Sequence, residues 1–176
     1  PTDRIFTAMG DGIEQYRIPD RLFNDQLAAF RQDVSKTRYT DESDVLDYCR
    51  RSANPVGQAM LCLVGETASE QFQQSDAICS ALQLINFLQD ISQDYHESGR
   101  IYLPQDEMQR FGVTEKQLAS SETTTELKAL INCQLDRIEK LLKQGEPLGK
   151  HLNGRFGLEI RMIIAGAWKV TEKLRN

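Results

Sequence analysis

The sequence predicts an all-α fold. Three observations carry this: apolar residues recur at helical spacing along almost the whole chain, β-branched alternation is nearly absent, and no hairpin signal joins two apolar runs. The chain has 176 residues, 40% hydrophobic and 27% charged, enough for one helical domain and unlike a disordered chain. Residues 3–16 carry Ile5, Phe6, Met9, Ile13 and Tyr16 on one helix face. Pro19 and Asp20 open a second helix with Leu22, Phe23, Leu27, Phe30 and Val34 inward. Thr40 is expected to cap a third, with Asp41, Glu42 and Asp44 in the first turn, where the helix dipole favours acids. That helix runs through Val45, Tyr48 and Cys49 to a break near Asn54-Pro55, and residues 56–64 continue to Gly65. Residues 76–94 form the most apolar helix, followed by a loop from His96 to Pro104 with Gly99 as its flexible point. Thr114 starts a short helix. Leu127, Leu130, Ile131, Leu135, Ile138, Leu141 and Leu142 mark a long amphipathic one ending near Gly145-Glu146-Pro147. A last helix takes in Ile160, Ile163, Ile164, Trp168 and Val170. Seven or eight helices with short connections make a bundle.

Composition narrows the function. The net charge is −5, without the basic excess of a nucleic-acid binder. Mean hydropathy is −0.48, and no apolar run approaches the ~20 residues of a membrane-spanning helix. No signal-peptide pattern opens the chain. It begins at Pro1 without an initiator Met, so that residue is not expected to start the natural product. Cys49, Cys62, Cys79 and Cys133 lie far apart and, with two His, make a poor zinc set. They read as small buried hydrophobes, which fits a reducing cytoplasm.

One stripe breaks the pattern. As a helix at about 100° per residue, residues 76–94 must be buried nearly all round, yet Gln83, Asn86, Asp90 and Asp94 fall within an arc of about 80°. Carboxylates one turn apart repel, and near a core each costs several kcal/mol if unpaired. No Lys or Arg shares the stripe within the helix. Three explanations follow: cations from elsewhere neutralise it, it faces solvent, or it binds a divalent cation. Two carboxylates and an amide oxygen suit Mg²⁺, which takes hard oxygens and keeps waters and substrate phosphates. Arg100, beyond Ser98 and Gly99, adds the bidentate donors a diphosphate needs, or else pairs with Asp94 or Glu97. Tyr102 could hydrogen-bond a phosphate, line an apolar channel, or simply pack.

The segment Gln83-Leu-Ile-Asn-Phe-Leu-Gln-Asp-Ile-Ser-Gln-Asp94, with Gly99-Arg-Ile-Tyr-Leu-Pro104 after it, resembles the second aspartate-rich motif of the squalene/phytoene synthase family. Upstream, Asp47-Tyr-Cys-Arg-Arg-Ser-Ala-Asn-Pro-Val-Gly57 resembles that family's other signature helix, in the same order. The match is best over residues 30–112. The resemblance implies the isoprenoid synthase fold, a helical bundle around a central cavity. It also implies joining of two prenyl diphosphates head to head, with Mg²⁺ bridging the diphosphate to two aspartate-rich helices. Carried over, Asp90, Asp94 and Tyr48 would be catalytic, and Asn86, Asp90 and Asp94 would hold the metal. Gln83, Asn86, Arg100, Tyr102, Val56 and Gly57 would bind substrate, the last two shaping the cavity wall.

Where the usual pattern has a second aromatic and Val-Ala-Gly, this chain has Arg51 and Ser52-Ala53-Asn54, then Pro55. That form resembles the bacterial hopanoid-pathway branch. It implies conversion of presqualene diphosphate, made from farnesyl diphosphate, to hydroxysqualene or squalene, without a nicotinamide cofactor in the hydroxysqualene case. The rivals are a phytoene, dehydrosqualene or presqualene diphosphate synthase and, from another class, a non-catalytic helical scaffold or assembly factor. Lipid substrates imply peripheral contact with a membrane from the cytoplasm. The family's first aspartate motif is not found: Asp41, Asp44 and Asp47 read as helix N-terminal charge. Residues 1–176 are therefore expected to be a single helical domain that is an internal fragment of a larger one.

Overall fold

Eleven helical segments and no strand occur among the described residues, 2–120 and 123–176 of a computed structural model. They are α1 (Thr2–Gln15), α2 (Asp20–Asp33), α3 (Glu42–Ser52), α4 (Asn54–Leu63), α5 (Ser69–Gln89), α6 (Ile91–Ser98), α7 (Gln105–Phe111), α8 (Glu115–Ala119), α9 (Thr125–Gly145), α10 (Leu148–His151) and α11 (Gly154–Arg175). The all-α expectation holds, with more segments than the periodicity indicated. The extra ones are α6, a continuation cut off from α5, and the short α7 and α10, too brief to show a period.

The core is built around α5 and α9. Ala81, Leu84, Ile85 and Leu88 of α5 meet Leu127, Leu130, Leu135, Ile138 and Leu142 of α9, with Val45, Tyr48 and Cys49 of α3 and Ala167 of α11 against them. Each Leu, Ile and Val among them contributes about 1.5–3 kcal/mol by leaving water. A second cluster joins Leu61, Ile78, Leu148, Leu152 and Ile164, locking α10 and α11 onto α4 and α5.

Several local expectations need correction. Asp41, not Thr40, caps α3: its carboxylate accepts from the Asp44 N–H at 2.9 Å. The break before Pro55 is present at Ala53, and α4 starts beyond it with Pro55 in its first turn, where the missing N–H costs nothing. The apolar helix begins at Ser69 rather than residue 76. Helix α6 continues past His96 to Ser98, and Gly99 ends it in the left-handed conformation at φ 65°. Of the residues expected inward on α2, Leu22 is buried but Leu27, Phe30 and Val34 are 52%, 58% and 88% exposed. Ile5, Phe6 and Met9 of α1, and Tyr16 just after it, are likewise exposed. Periodicity identified these faces without identifying what covers them. No helix among the described residues is long and apolar enough to cross a membrane.

Candidate active site

The acidic stripe lies where α5 gives way to α6. Asp90 leaves helical geometry (φ −102°, ψ 11°), which splits the single helix expected over 76–94. The spacing survives the kink: the Asp90 N–H donates to the Asn86 carbonyl at 2.9 Å, and the Asp94 N–H to the Asp90 carbonyl at 2.7 Å. Asn86 and Asp90 are exposed; Gln83 and Asp94 are half-buried. Burial, and next the Asp90 charge, push the Asp94 carboxyl above its usual range, while Arg100 partly opposes them. No group of three or more His, Cys, Asp and Glu among the described residues is placed to hold a metal ion. The row offers two carboxylates and one amide.

The segment after α6 folds back onto this corner. The Arg100 N–H donates to the Asp94 carbonyl at 3.1 Å, and Arg38 donates to the Gly99 carbonyl. Tyr102 then stacks on Phe87 of α5, with ring centroids 3.6 Å apart and planes 5° from parallel. Tyr39 and Tyr48 complete an aromatic cluster around Tyr102 at 5.3 and 5.7 Å. Arg100 does not pair with Asp94 or Glu97. Its Nη2 donates to the Asp33 carbonyl at 2.7 Å and its Nη1 to the Tyr102 hydroxyl at 3.3 Å, while its Nε is buried without a partner. Burial works against the Arg100 charge, but Tyr102 and Asp33 outweigh it and raise its pKa. The Tyr48 hydroxyl donates to Asp33 Oδ2 at 3.0 Å. Burial first, then Tyr102 and the Asp33 bond, push the Tyr48 phenol well up, so it keeps its proton. Lys36 and Arg51 flank the cluster, Lys36 over the Tyr39 ring at 4.8 Å and Arg51 donating to Gln32 Oε1 at 2.7 Å.

Val56 and Gly57 lie elsewhere, on an apolar groove of about 190 Å³ between α4, α5 and α11. Met60, Ile78, Leu82, Phe156 and Ile163 also line it. Gly57 is what lets α4 approach α5: a Cβ there would collide with Ser75 Oγ and Cys79 Sγ. The groove reaches Leu82, next to Gln83, but not the acidic row itself. Thus the structure gathers Asn86, Asp90, Asp94, Arg100, Tyr102 and Tyr48 at one corner, with Val56 and Gly57 apart.

Of the cysteines, Cys49 is buried as expected, whereas Cys62, Cys79 and Cys133 are only partly covered, and all four are free thiols. Burial pushes the Cys49 thiol up to about 12 and the Cys79 thiol up to about 11. At pH 8 about one Cys79 in a thousand is then thiolate, and fewer Cys49. Iodoacetamide at pH 8 is expected to leave both unmodified while the protein is folded. Peptide mass spectrometry checks this, and rapid native labelling of either would contradict it.

Sequence reasoning missed Asp33, Gln32 and Tyr39. Asp33 and Gln32 end a helix whose signal was apolar, and Tyr39 sits in the turn after it, so only the tertiary contacts single them out.

The squalene/phytoene synthase family profile matches residues 1–176. The hydroxysqualene synthase of Rhodopseudomonas palustris is 38% identical over 160 residues, 90% of this chain and 54% of that protein. The hydroxysqualene synthase of Zymomonas mobilis is 37% identical over 151 residues, 85% of this chain and 50% of that one. A squalene synthase of Alicyclobacillus acidocaldarius superposes with a TM-score of 0.87 at 31% identity, covering 93% of this chain and 62% of the other. The chain thus spans about half the length of the curated relatives it matches. With the helical architecture, the acidic row and the Arg100–Tyr102 segment in place, the chain belongs to the squalene/phytoene synthase family.

Proposed function

We propose that the full-length protein is a Mg²⁺-dependent head-to-head prenyl diphosphate synthase converting presqualene diphosphate, derived from farnesyl diphosphate, to hydroxysqualene or squalene. The observation that carries this is the meeting of the Asn86–Asp90–Asp94 row with Arg100, Tyr102 and Tyr48 at one corner. The 38% identity to a hydroxysqualene synthase favours this branch. Residues 1–176 would form part of a larger isoprenoid synthase domain. Localisation would be cytoplasmic, with peripheral membrane contact for the lipid substrates.

The row fits a hard cation: its donors are all oxygens, and burial, then the Asp90 charge, raise the Asp94 carboxyl, so a cation there would relieve a charge the fold disfavours. Asn86, Asp90 and Asp94 would hold Mg²⁺, which supplies Lewis-acid neutralisation of the departing diphosphate. Arg100 would bind diphosphate oxygens, beginning with its unpartnered Nε. Gln83 would border the cavity one turn earlier. The groove beside Val56 and Gly57 would take prenyl chain and keep water from it. Tyr48, tilted against Phe87 at 6.2 Å, and Tyr102, stacked on it at 3.6 Å, would line the site with aromatic surface, which attracts a developing positive charge.

The test is product analysis. The full-length protein is given farnesyl and presqualene diphosphates with Mg²⁺, with and without reduced nicotinamide. Hydroxysqualene formed from presqualene diphosphate without the reductant is the expected result. A second reading, a phytoene- or dehydrosqualene-type synthase, draws on the 29% identity to the phytoene synthase of Mycobacterium tuberculosis, and the corresponding polyene would replace the alcohol. Intact substrates after prolonged incubation would overturn both.

A further inference from the structure

We propose that Asp33 is a positioning residue for the reaction: its carboxylate fixes the Tyr48 hydroxyl and its backbone carbonyl fixes the Arg100 guanidinium, tying three distant parts of the chain into one catalytic corner. This rests on the prenyl-transfer reading and deepens it. Asp33 is the last residue of α2, Tyr48 lies on α3, and Arg100 follows α6. Two bonds join them, Tyr48 hydroxyl to Asp33 Oδ2 at 3.0 Å and Arg100 Nη2 to the Asp33 carbonyl at 2.7 Å.

The direction of the first bond matters. The Tyr48 hydroxyl is the donor, so its hydrogen points at Asp33 Oδ2. The phenol oxygen then turns its lone pairs, not its proton, toward anything beyond. That orientation keeps the hydroxyl hydrogen engaged inside the corner, beside the Tyr102 hydroxyl that Arg100 engages. It also withholds the phenol as a hydrogen-bond donor to the diphosphate, leaving that work to Arg100. Preorganised dipoles of this kind act without reorganising during the reaction. Asp33 has further capacity here: its Oδ1 is buried without a partner, as is Arg100 Nε, so a polar acceptor and a polar donor both lie unmatched in the same corner. Such atoms are costly to leave unpaired, and functional sites are where that cost is tolerated.

The neighbours reinforce the placement. Gln32, one residue earlier, donates to the Tyr39 hydroxyl at 3.4 Å and accepts from Arg51 at 2.7 Å. Arg51 is held in turn by Asp47 at 2.8 Å. The end of α2 is therefore tied to α3 through Arg51 and to the connecting segment through Tyr39, and Asp33 cannot drift from Tyr48 without breaking that set.

The experiment compares wild type, Asp33→Asn, Tyr48→Phe and the double variant of the full-length protein, with presqualene diphosphate and Mg²⁺. Asn is nearly isosteric and leaves the backbone carbonyl that holds Arg100. Its side-chain NH₂ can, however, donate to the phenol and release the Tyr48 proton toward the substrate. The expected result is a fall in kcat of about 10- to 100-fold, the size usual when a group orienting a reacting residue is removed. KM and the Mg²⁺-dependent affinity for inorganic pyrophosphate should stay within about threefold. Tyr48→Phe should lose a similar factor, and the double variant should lose no more than the worse single one, because both sever one bond. Full kcat in Asp33→Asn, an equal loss of pyrophosphate affinity, or multiplicative losses in the double variant would each overturn the proposal. Should Asp33→Asn fail to fold, Tyr48→Phe decides: it removes the donor of the same bond, and undiminished kcat sinks the idea. A wild-type protein inert toward every prenyl diphosphate is a separate outcome, which fails the functional reading and this proposal with it.

Discussion

Asp90→Asn in the full-length protein is expected to abolish most turnover of the prenyl diphosphate substrate while leaving the fold intact, or slightly more stable. Asn keeps the shape and one carbonyl oxygen of Asp90 but removes its charge. If the row holds the cation that neutralises the leaving group, a Lewis-acid contribution of several kcal/mol is at stake. At about 1.4 kcal/mol per factor of ten, the loss should be about 100-fold or more. Stability should move the other way. The Asp94 carboxyl is raised in the folded state by burial and then by the Asp90 charge. A carboxyl with a raised folded pKa opposes folding once pH passes its unfolded value and the group ionises, so at neutral pH the ionised pair strains the apoprotein. Removing one charge relieves part of that strain. Activity and melting temperature of the two proteins, measured without Mg²⁺ and with Mg²⁺ plus pyrophosphate, check both halves. The wild type should gain stability from the ligands and Asp90→Asn much less, because only binding to the folded state raises the melting point. Equal ligand-induced shifts in the two proteins, or undiminished turnover, would remove the row from the mechanism.

The row stood out in the sequence for a physical reason. Acids on an otherwise apolar helix conflict with folding, and such conflicts concentrate at functional sites. Asn86, Asp90, Asp94 and Arg100 stood out because of that conflict, Tyr102 only as one of three open readings beside Arg100, and Tyr48 only through the family resemblance. The kink at Asp90 was not legible, since no Pro or Gly marks it and the carbonyl ladder carries on across it. Asp33 was invisible for a different reason. Nothing around it is periodic or unusual, and its role is set by Tyr48 and by Arg100, which lies 67 residues away. The apolar stripes of α1 and α2 were legible as stripes. Ile5, Phe6, Leu27 and Phe30 show that a 3.6-residue period reports that a face exists, not that this stretch of chain buries it.

The strongest effect on folding is expected from one methyl group, at Gly157→Ala. Helix propensity alone argues the opposite, since Ala is favoured over Gly inside a helix by up to about 1 kcal/mol. But α10 turns into α11 so tightly that a Cβ on Gly157 would sit inside the van der Waals shell of the Leu152 carbonyl oxygen, 2.7 Å from the carbonyl carbon. The obstructing atoms are backbone, so no rotamer change clears them; either the first turn of α11 or the end of α10 must move. Leu152, which carries the obstructing carbonyl, and Leu148 one turn earlier belong to the cluster with Leu61, Ile78 and Ile164, and any such shift opens that cluster. Overpacking of this kind costs about 1–3 kcal/mol or more, and the absence of a flexible neighbour puts this case at the upper end. The control is in the same helix: a Cβ at Gly166 meets nothing within 4 Å, so Gly166→Ala should stabilise by the propensity term. Urea unfolding of the two full-length variants should therefore shift in opposite directions. Because Phe156, Ile160 and Ile163 of α11 line the apolar groove, Gly157→Ala should also raise KM for the prenyl substrate, where Gly166→Ala should not. Similar midpoints for both variants would show that the corner between α10 and α11 is looser than its geometry indicates, and that the groove wall does not depend on it.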